Sequence, residues 1–401
     1  MQFRDIIGQQ EIKQNLVELV QHNRLSHALL FLGKEGNGAF SLARALAQYL
    51  NCEKVNQGSK ETAASIGLFG EEPAAVLPAE ILNDSCGVCS SCQKSRQLVH
   101  PDIHFSFPVI PKKAGTAPIS DDYISEWREF ITLSPYGNVY DWLQFLNAEN
   151  KQGNITAAEC NDIIRKLSLK SFENGYKILL MWMPEYLGNE GNKLLKLIEE
   201  PPAETLFILV TENEAGILPT ILSRCQLIKI PAIETTEIEQ ALITRNNTPP
   251  AQASLLAAVS EGNYREAILQ SQHAGEDWQT LLREWLNAIA KKQPLAQTKW
   301  VDEASKLGRE KQKQFLRFFN HLLGQAIRLQ ALGEENIILS DAEKDFLIRL
   351  NKLIQYDQQQ AIIEELDKAA YYIERNANAK MLFHALTIKL SHIIHNRIVF
   401  V

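Results

Sequence analysis

What the sequence lacks narrows its function before any motif is read. Acidic residues outnumber basic ones, 48 to 41, and the net charge is −7. That leaves no positive surplus for a chain that coats nucleic acid by itself, although a local basic face or a basic partner remains open. No apolar run approaches the ~20 residues of a membrane span. The opening "MQFRDIIGQQEIKQNL" has no basic stretch leading into an apolar one, as a secretion signal would. A cytoplasmic chain with no membrane partner is therefore expected. Cysteine is scarce as well. Six in such a chain point to metal ligands or buried thiols rather than disulfides.

What is present is an ordinary globular composition, 45% apolar and 22% charged, over 401 residues. That length allows two or three domains. In "QQEIKQNLVELVQH" the residues Ile12, Leu16, Leu19 and Val20 fall on one helical face. The buried-looking strand "HALLFL" and the helix "SLARALAQYL" flank a glycine loop. Further strand candidates are "DIHFSFPVI", "YKILLMWM", "TLFILVT" and "CQLIKIP". Between them lie "TAAECNDIIRKL", with Thr156 and Glu159 spaced as a capping box, and "GNKLLKLIEE", stopped by Pro201 and Pro202. Continuous apolar strands alternating with helices predict a parallel sheet covered on both faces. After Pro231 the pattern is almost wholly that of amphipathic helices, with a break near residue 275. Two stretches, 53–85 and roughly 108–152, read as insertions of poor periodicity, the first of them mobile.

"CGVCSSC" places Cys86, Cys89 and Cys92 two residues apart, and Cys52 ends the helix after the glycine loop. Such gaps let successive thiolates face one ion, and a distant ligand completes a tetrahedron. Cys52 is the preferred fourth ligand, with His100 or His104 as alternatives. An iron–sulfur run would need a further cysteine followed by proline, which "QKSRQLVHPD" does not supply. Four thiolates leave no open position, so a zinc ion here would be structural. Cys160 and Cys225 read as buried thiols on apolar faces.

The loop "GKEGNGAF" has the position and the glycines of a phosphate-binding loop: Gly33, Gly36 and Gly38. A working loop continues with Lys for the β- and γ-phosphates and Ser or Thr for Mg²⁺. Ala39 and Phe40 stand there instead. The second strand, where metal carboxylates should follow, ends in Trp182, Met183 and Pro184, and Glu185 is the first acid. Losing all these groups together predicts a site that does not hydrolyse nucleotide.

In this order the pieces resemble the clamp-loader branch of the AAA+ ATPases. The carrying residues are "DIIGQQ" at 5–10, "RLSHALLFLG" at 24–33, Cys52 with "CGVCSSC", "HPD" at 100–102, "NKLLKLIEEPP" at 192–202 and "ILPTILSRCQ" at 217–226. The resemblance is specific over about 1–52, 86–105 and 155–232, and only architectural beyond. It implies an α/β AAA+ core of RecA-like type over 1–232, carrying a zinc module over 52–92. An all-α lid over 233–274 and an all-α collar over 275–401 would follow. In that family five subunits ring a helical collar, and ATP between neighbours drives loading of a sliding clamp onto primed DNA. The partners implied are the ATPase motor subunits and the clamp-opening subunit, met through the collar and the AAA+ faces. The clamp and primed DNA are met in the assembly.

The resemblance also assigns roles. Arg224, within the Ser223-Arg224-Cys225 motif, corresponds to an arginine finger that reaches the neighbouring subunit's ATP. Arg265 matches a lid arginine that touches phosphate in active relatives; here a surface charge or a lid salt bridge is expected. Thr211 sits at the polar sensor position. Zn²⁺ is the implied structural cofactor, and ATP is not expected to bind productively to this chain. The implied subunit is a stator with a degraded site. The alternatives are a catalytically active clamp-loader ATPase with an unusual site, and a zinc-dependent nucleic-acid module. The last lacks the basic stripe or interleaved aromatics around "CGVCSSC" that it would need.

Overall fold

The apolar strands sort their side chains onto two faces of one sheet. In β1 (Ala28–Gly33), β3 (Lys177–Trp182) and β4 (Thr205–Thr211), alternate residues enter different cores. Leu29, Phe31, Ile178, Leu180, Trp182, Ile208 and Val210 enter one, and Ala28, Leu30, Leu179, Met181, Phe207 and Leu209 the other. That is the period of two expected of strands buried on both sides. With β2 (Ile103–Ser106) and β5 (Gln226–Ile230) they form a parallel sheet in the order β2-β3-β4-β1-β5. The register pairs Leu32 with Thr211 and Gly33 with Ile230. The glycine loop, Trp182 and Thr211 thus meet at the carboxyl edge of the sheet, where open α/β folds bind ligands.

The computed structural model describes residues 1–56, 83–113, 115–148, 151–173, 175–272, 278–333, 341–374 and 377–396. Most of the first insertion, read as mobile over 53–85, lies outside them. The chain forms two compact units, Met1–Ser271 and Gln272–Val401. In the first unit, the helix Ala39–Leu50 covers one face of the sheet with Leu42, Ala43 and Leu46. The helix Ala157–Ser168 covers the other with Cys160, Ile163 and Leu167. Thr156 caps that helix by accepting from the Glu159 amide at 3.2 Å. The box is not reciprocal, because the Glu159 carboxylate instead accepts from the Ser120 amide at 2.6 Å.

Two readings change. The second insertion is ordered into the helices Ile124–Leu133 and Val139–Phe145, which bury Trp127 and Trp142 completely. "GNKLLKLIEE" is α-helical only over Leu195–Glu199. Before it runs a tight 3₁₀ stretch, Pro184–Leu194, broken at Gly188 with φ +52°. Glycine tolerates that angle without steric cost, so the chain can kink there.

Three helices close the first unit: Thr235–Asn246, Pro250–Val259 and Tyr264–Gln272. Ile238, Leu242, Ala257 and Ala267 form their core together with Ile7 and Tyr136. The second unit consists of helices joined by short turns, with no strand among its described residues. At its centre Trp285 stacks on Trp300, with ring centroids 4.3 Å apart and planes 1° from parallel. The Trp285 indole donates to Thr387 Oγ1 at 3.0 Å.

Candidate nucleotide site and cysteine cluster

The glycine loop has the positive φ angles of a tight glycine turn, and its Asn37 side chain and Gly36 carbonyl bond within the chain. Gly36 and Gly38 have φ of +72° and +86°, angles that favour glycine. The Asn37 side chain folds inside the turn: its Oδ1 accepts from the Ala39 amide at 3.0 Å, and its Nδ2 donates to the Ile230 carbonyl at 2.9 Å. The Gly36 carbonyl accepts from the Tyr264 amide at 3.2 Å. A Cβ on Gly36 would lie 1.8 Å from Asn263 Oδ1, and one on Gly38 2.8 Å from the Tyr136 ring. The glycines therefore admit protein where phosphate would approach.

Aromatic rings fill the neighbouring space. Phe40, at the hydroxyl position, packs on Trp127 at 5.7 Å and on Trp182 at 6.1 Å between centroids. Trp127 stacks on Phe107 at 4.1 Å and meets Trp142 edge-on. A small open pocket of about 30 Å³ is left among Gly33, Lys34, Gly36–Phe40, Pro135–Gly137, Trp182, Met183 and Val210–Glu212. Glu185 turns away to Thr211, whose hydroxyl donates to its carboxylate at 2.9 Å. Burial pushes the Glu185 carboxyl above its ordinary value, and the Thr211 bond opposes that.

Arg265 is not a surface charge; the lid arginine forms a salt bridge, and its partners lie outside the lid. It is 4% exposed and reaches the core. Nε and Nη2 donate to the two Asp141 oxygens, each at 2.5 Å, and Nη1 donates to Glu35 Oε1 at 2.6 Å. Arg224 lies elsewhere, past the short helix Pro219–Leu222 and before β5. One third of its side chain is exposed. Its Nε donates to Glu199 at 2.5 Å, and its Nη1 to the Thr220 carbonyl at 2.7 Å and to Ser223 Oγ at 3.1 Å. Cys225, read as buried, is only half-buried. The remaining burial pushes its thiol up to about 11.

The sulfurs of Cys52, Cys86, Cys89 and Cys92 all lie within 4.8 Å of one another, and none forms a disulfide. Cys86 and Cys92 sulfurs are 3.9 Å apart, against about 3.8 Å for four thiolates bound tetrahedrally at ~2.3 Å. The Cys86 amide donates to Cys52 Sγ, Cys89 N to Cys86 Sγ and Cys92 N to Cys89 Sγ, at 3.4 to 3.5 Å. Such bonds favour thiolate. A bond from the Cys92 thiol is the largest influence that brings Cys52 down to about 5. The donor set fits a closed tetrahedral metal site. His100 is committed elsewhere: Nε2 lies 2.9 Å from Ser91 Oγ and 3.0 Å from Glu173, and Nδ1 accepts from the Asp102 amide. Among the described residues no helix is long and apolar enough to cross a membrane.

Over residues 8–72 and 74–234, more than half of its length, the sequence matches the family described as DNA polymerase III, delta subunit. The chain belongs to that family. It is 25% identical over 267 residues to DNA polymerase III subunit delta' of Bacillus subtilis, a match spanning 66% of this chain and 60% of the relative. It is 27% identical over 319 residues to the Escherichia coli delta' subunit, spanning 79% and 74%. Against the tau/gamma subunit of Haemophilus influenzae it is 25% identical over 278 residues, spanning 68% of this chain and 30% of that one.

In this delta-family chain the structure brings together the four cysteines, and it brings the glycine loop to Trp182 and Thr211. Arg224 stands apart from both, paired with Glu199. The sequence reading missed Glu35, Tyr136 and Asp141. The signal was there: Trp127, Phe130 and Ile131 sit at helical spacing. Asn138 and Asp141 form a reciprocal capping box, at 2.9 and 3.1 Å, that starts the next helix.

Proposed function

We propose that this chain is a delta-prime-type subunit of a bacterial DNA polymerase III clamp loader, and that it acts as a stator which does not hydrolyse ATP. The observation that carries this is the Phe40–Trp182 contact at 6.1 Å. The residue at the metal-hydroxyl position touches the residue at the metal-carboxylate position, so neither position supplies a polar group to hold Mg²⁺ or orient water. Its partners would be the ATPase motor subunits and the clamp-opening subunit, with the sliding clamp and primed DNA met in the assembly, in the cytoplasm. The helical unit Gln272–Val401 would serve as the collar.

Arg224 is the residue proposed to act in trans. A guanidinium set against a neighbour's γ-phosphate spreads its charge over the transition state. In the free chain Glu199 holds it, and a phosphate would compete for the same donors. The cysteine cluster is proposed to hold one structural Zn²⁺, which would lock Cys52 at the end of the loop helix to the helix Ser90–Arg96. Two measurements test the reading together: ATP turnover by the isolated chain, and clamp loading by the reconstituted assembly with and without it. Turnover by the isolated chain, abolished by mutating Gly38, would overturn the stator role. Undiminished loading without the chain would overturn the clamp-loader role.

A further inference from the structure

We infer that Asp141 and Glu35 stand in for nucleotide phosphates toward Arg265, forming an internal latch that holds the lid helices closed on the glycine loop with no ligand bound. The inference deepens the non-hydrolysing reading of this site and rests on it.

Three observations support the latch. The first is the donor count. A planar guanidinium recognises carboxylate or phosphate through a fork of paired N–H groups. Arg265 spends that fork on Asp141, at 2.5 Å twice, and its remaining amino group on Glu35 at 2.6 Å. At 4% exposure, the pairing is sheltered from water and salt.

The second is that both carboxylates are themselves held in place. Glu35 lies inside the loop, between Gly33 and Gly36, and the Asn138 side-chain amide donates to it at 3.1 Å. Asp141 is positioned by the same capping box, accepting from the Asn138 amide while its own amide donates to Asn138 Oδ1. One residue, Asn138, thus orients both acids. A chance surface pair would have no such support.

The third is that contacts around the latch run from lid to loop. The Tyr264 amide donates to the Gly36 carbonyl, Asn263 crowds Gly36, and the Tyr264 ring packs edge-on to Tyr136 at 5.0 Å. Tyr136 in turn accepts from the Ile7 amide at 3.0 Å. The stretch Tyr136–Asp141, from the second insertion, therefore bridges loop and lid where a nucleotide would. Two fixed carboxylates beside the loop also oppose the approach of a polyphosphate. The lid angle is set by the fold and is independent of nucleotide.

Hydrogen exchange on the full-length chain tests this, reading the lid amides of residues 235–271 against those of β4 as the reference for global opening. Asp141→Asn and Arg265→Met should each speed lid exchange by ~10-fold or more, because the first removes the charge that faces the guanidinium fork and leaves Glu35 alone on Arg265, and the second leaves both carboxylates without their cation. The double variant should be no faster than the faster single, since the two residues act as one unit. Lid exchange within twofold of the parent in both singles would overturn the latch, as would full additivity in the double. Added ATP should leave the parent's lid exchange unchanged, and clear protection by ATP would also overturn it. Should Asp141→Asn not fold, Arg265→Lys carries the test, since it keeps the charge and loses the fork. Faster lid exchange supports the latch there, and parent-like exchange overturns it. Failure of the clamp-loader reading would appear separately, in the loading assay.

Discussion

Phe40 and Trp182 approach to 6.1 Å between ring centroids, tilted by 51°, at the two positions that would share a metal ion in an active site of this architecture. The pair joins the loop helix to the end of β3, and Trp127 from the second insertion completes the cluster at 5.7 Å from Phe40. Both positions are occupied by core packing.

Phe40→Ala should therefore cost stability without creating a nucleotide site. Removing a ring that is 8% exposed leaves a cavity worth ~3 kcal/mol or more. Urea denaturation should show that loss. Titration with a fluorescent ATP analogue should still show no binding, because Asn37 and Tyr136 continue to occupy the loop.

Arg224→Ala should leave the fold intact, since its partner Glu199 is 45% exposed and exposed pairs contribute ~0–1 kcal/mol. ATP hydrolysis at the one neighbouring site it serves should fall by roughly 10³-fold, the lower end of arginine-finger effects. Single-turnover hydrolysis by the reconstituted assembly measures this, and an unchanged rate would remove the assignment.

Elemental analysis should find one zinc per chain, lost on Cys89→Ser. Stripping the metal with a strong chelator should lower the melting temperature of the first unit and expose Cys52 to thiol reagents. Iron, or no metal at all, would refute the zinc site.

A pH effect follows from Glu159. Burial pushes its carboxyl above the ordinary value, against the bond from Ser120. In the window above the unfolded value of 4.5, the folded chain keeps a proton that the unfolded chain releases. This residue's contribution to stability is therefore lost as pH rises through the folded value. Glu159→Gln should gain stability on the parent at pH 7.5, and the gain should shrink toward pH 4. Urea midpoints across that range check the sign.

Much of this was legible in the residues. The apolar runs of β1, β3 and β4 read directly as strands, and the spacing of Cys86, Cys89 and Cys92 as a ligand set, because each depends on local periodicity. The kink at Gly188 and the partners of Arg265 were not. Asp141 lies 124 positions before Arg265, and no local pattern couples them. The second insertion hid its role for a related reason. Its helices are short and separated by turns, and Trp127 is enclosed by Phe40 of the loop helix and Trp182 of β3, residues far from it in sequence. Thr156 was half legible: its cap forms as the pattern implies, while Glu159 answers to Ser120 instead.

The carbonyl of Gly36 accepts from Tyr264, and the space above it belongs to Asn263. The loop thus serves as a docking surface for the chain's own helices. Any side chain at Gly36 or Gly38 would be strained by the positive φ and would collide with Asn263 or Tyr136, so these glycines are required by the way the lid seats, whether or not nucleotide binds. Nucleotide use in this chain must be judged from the residues at 39, 40 and 182.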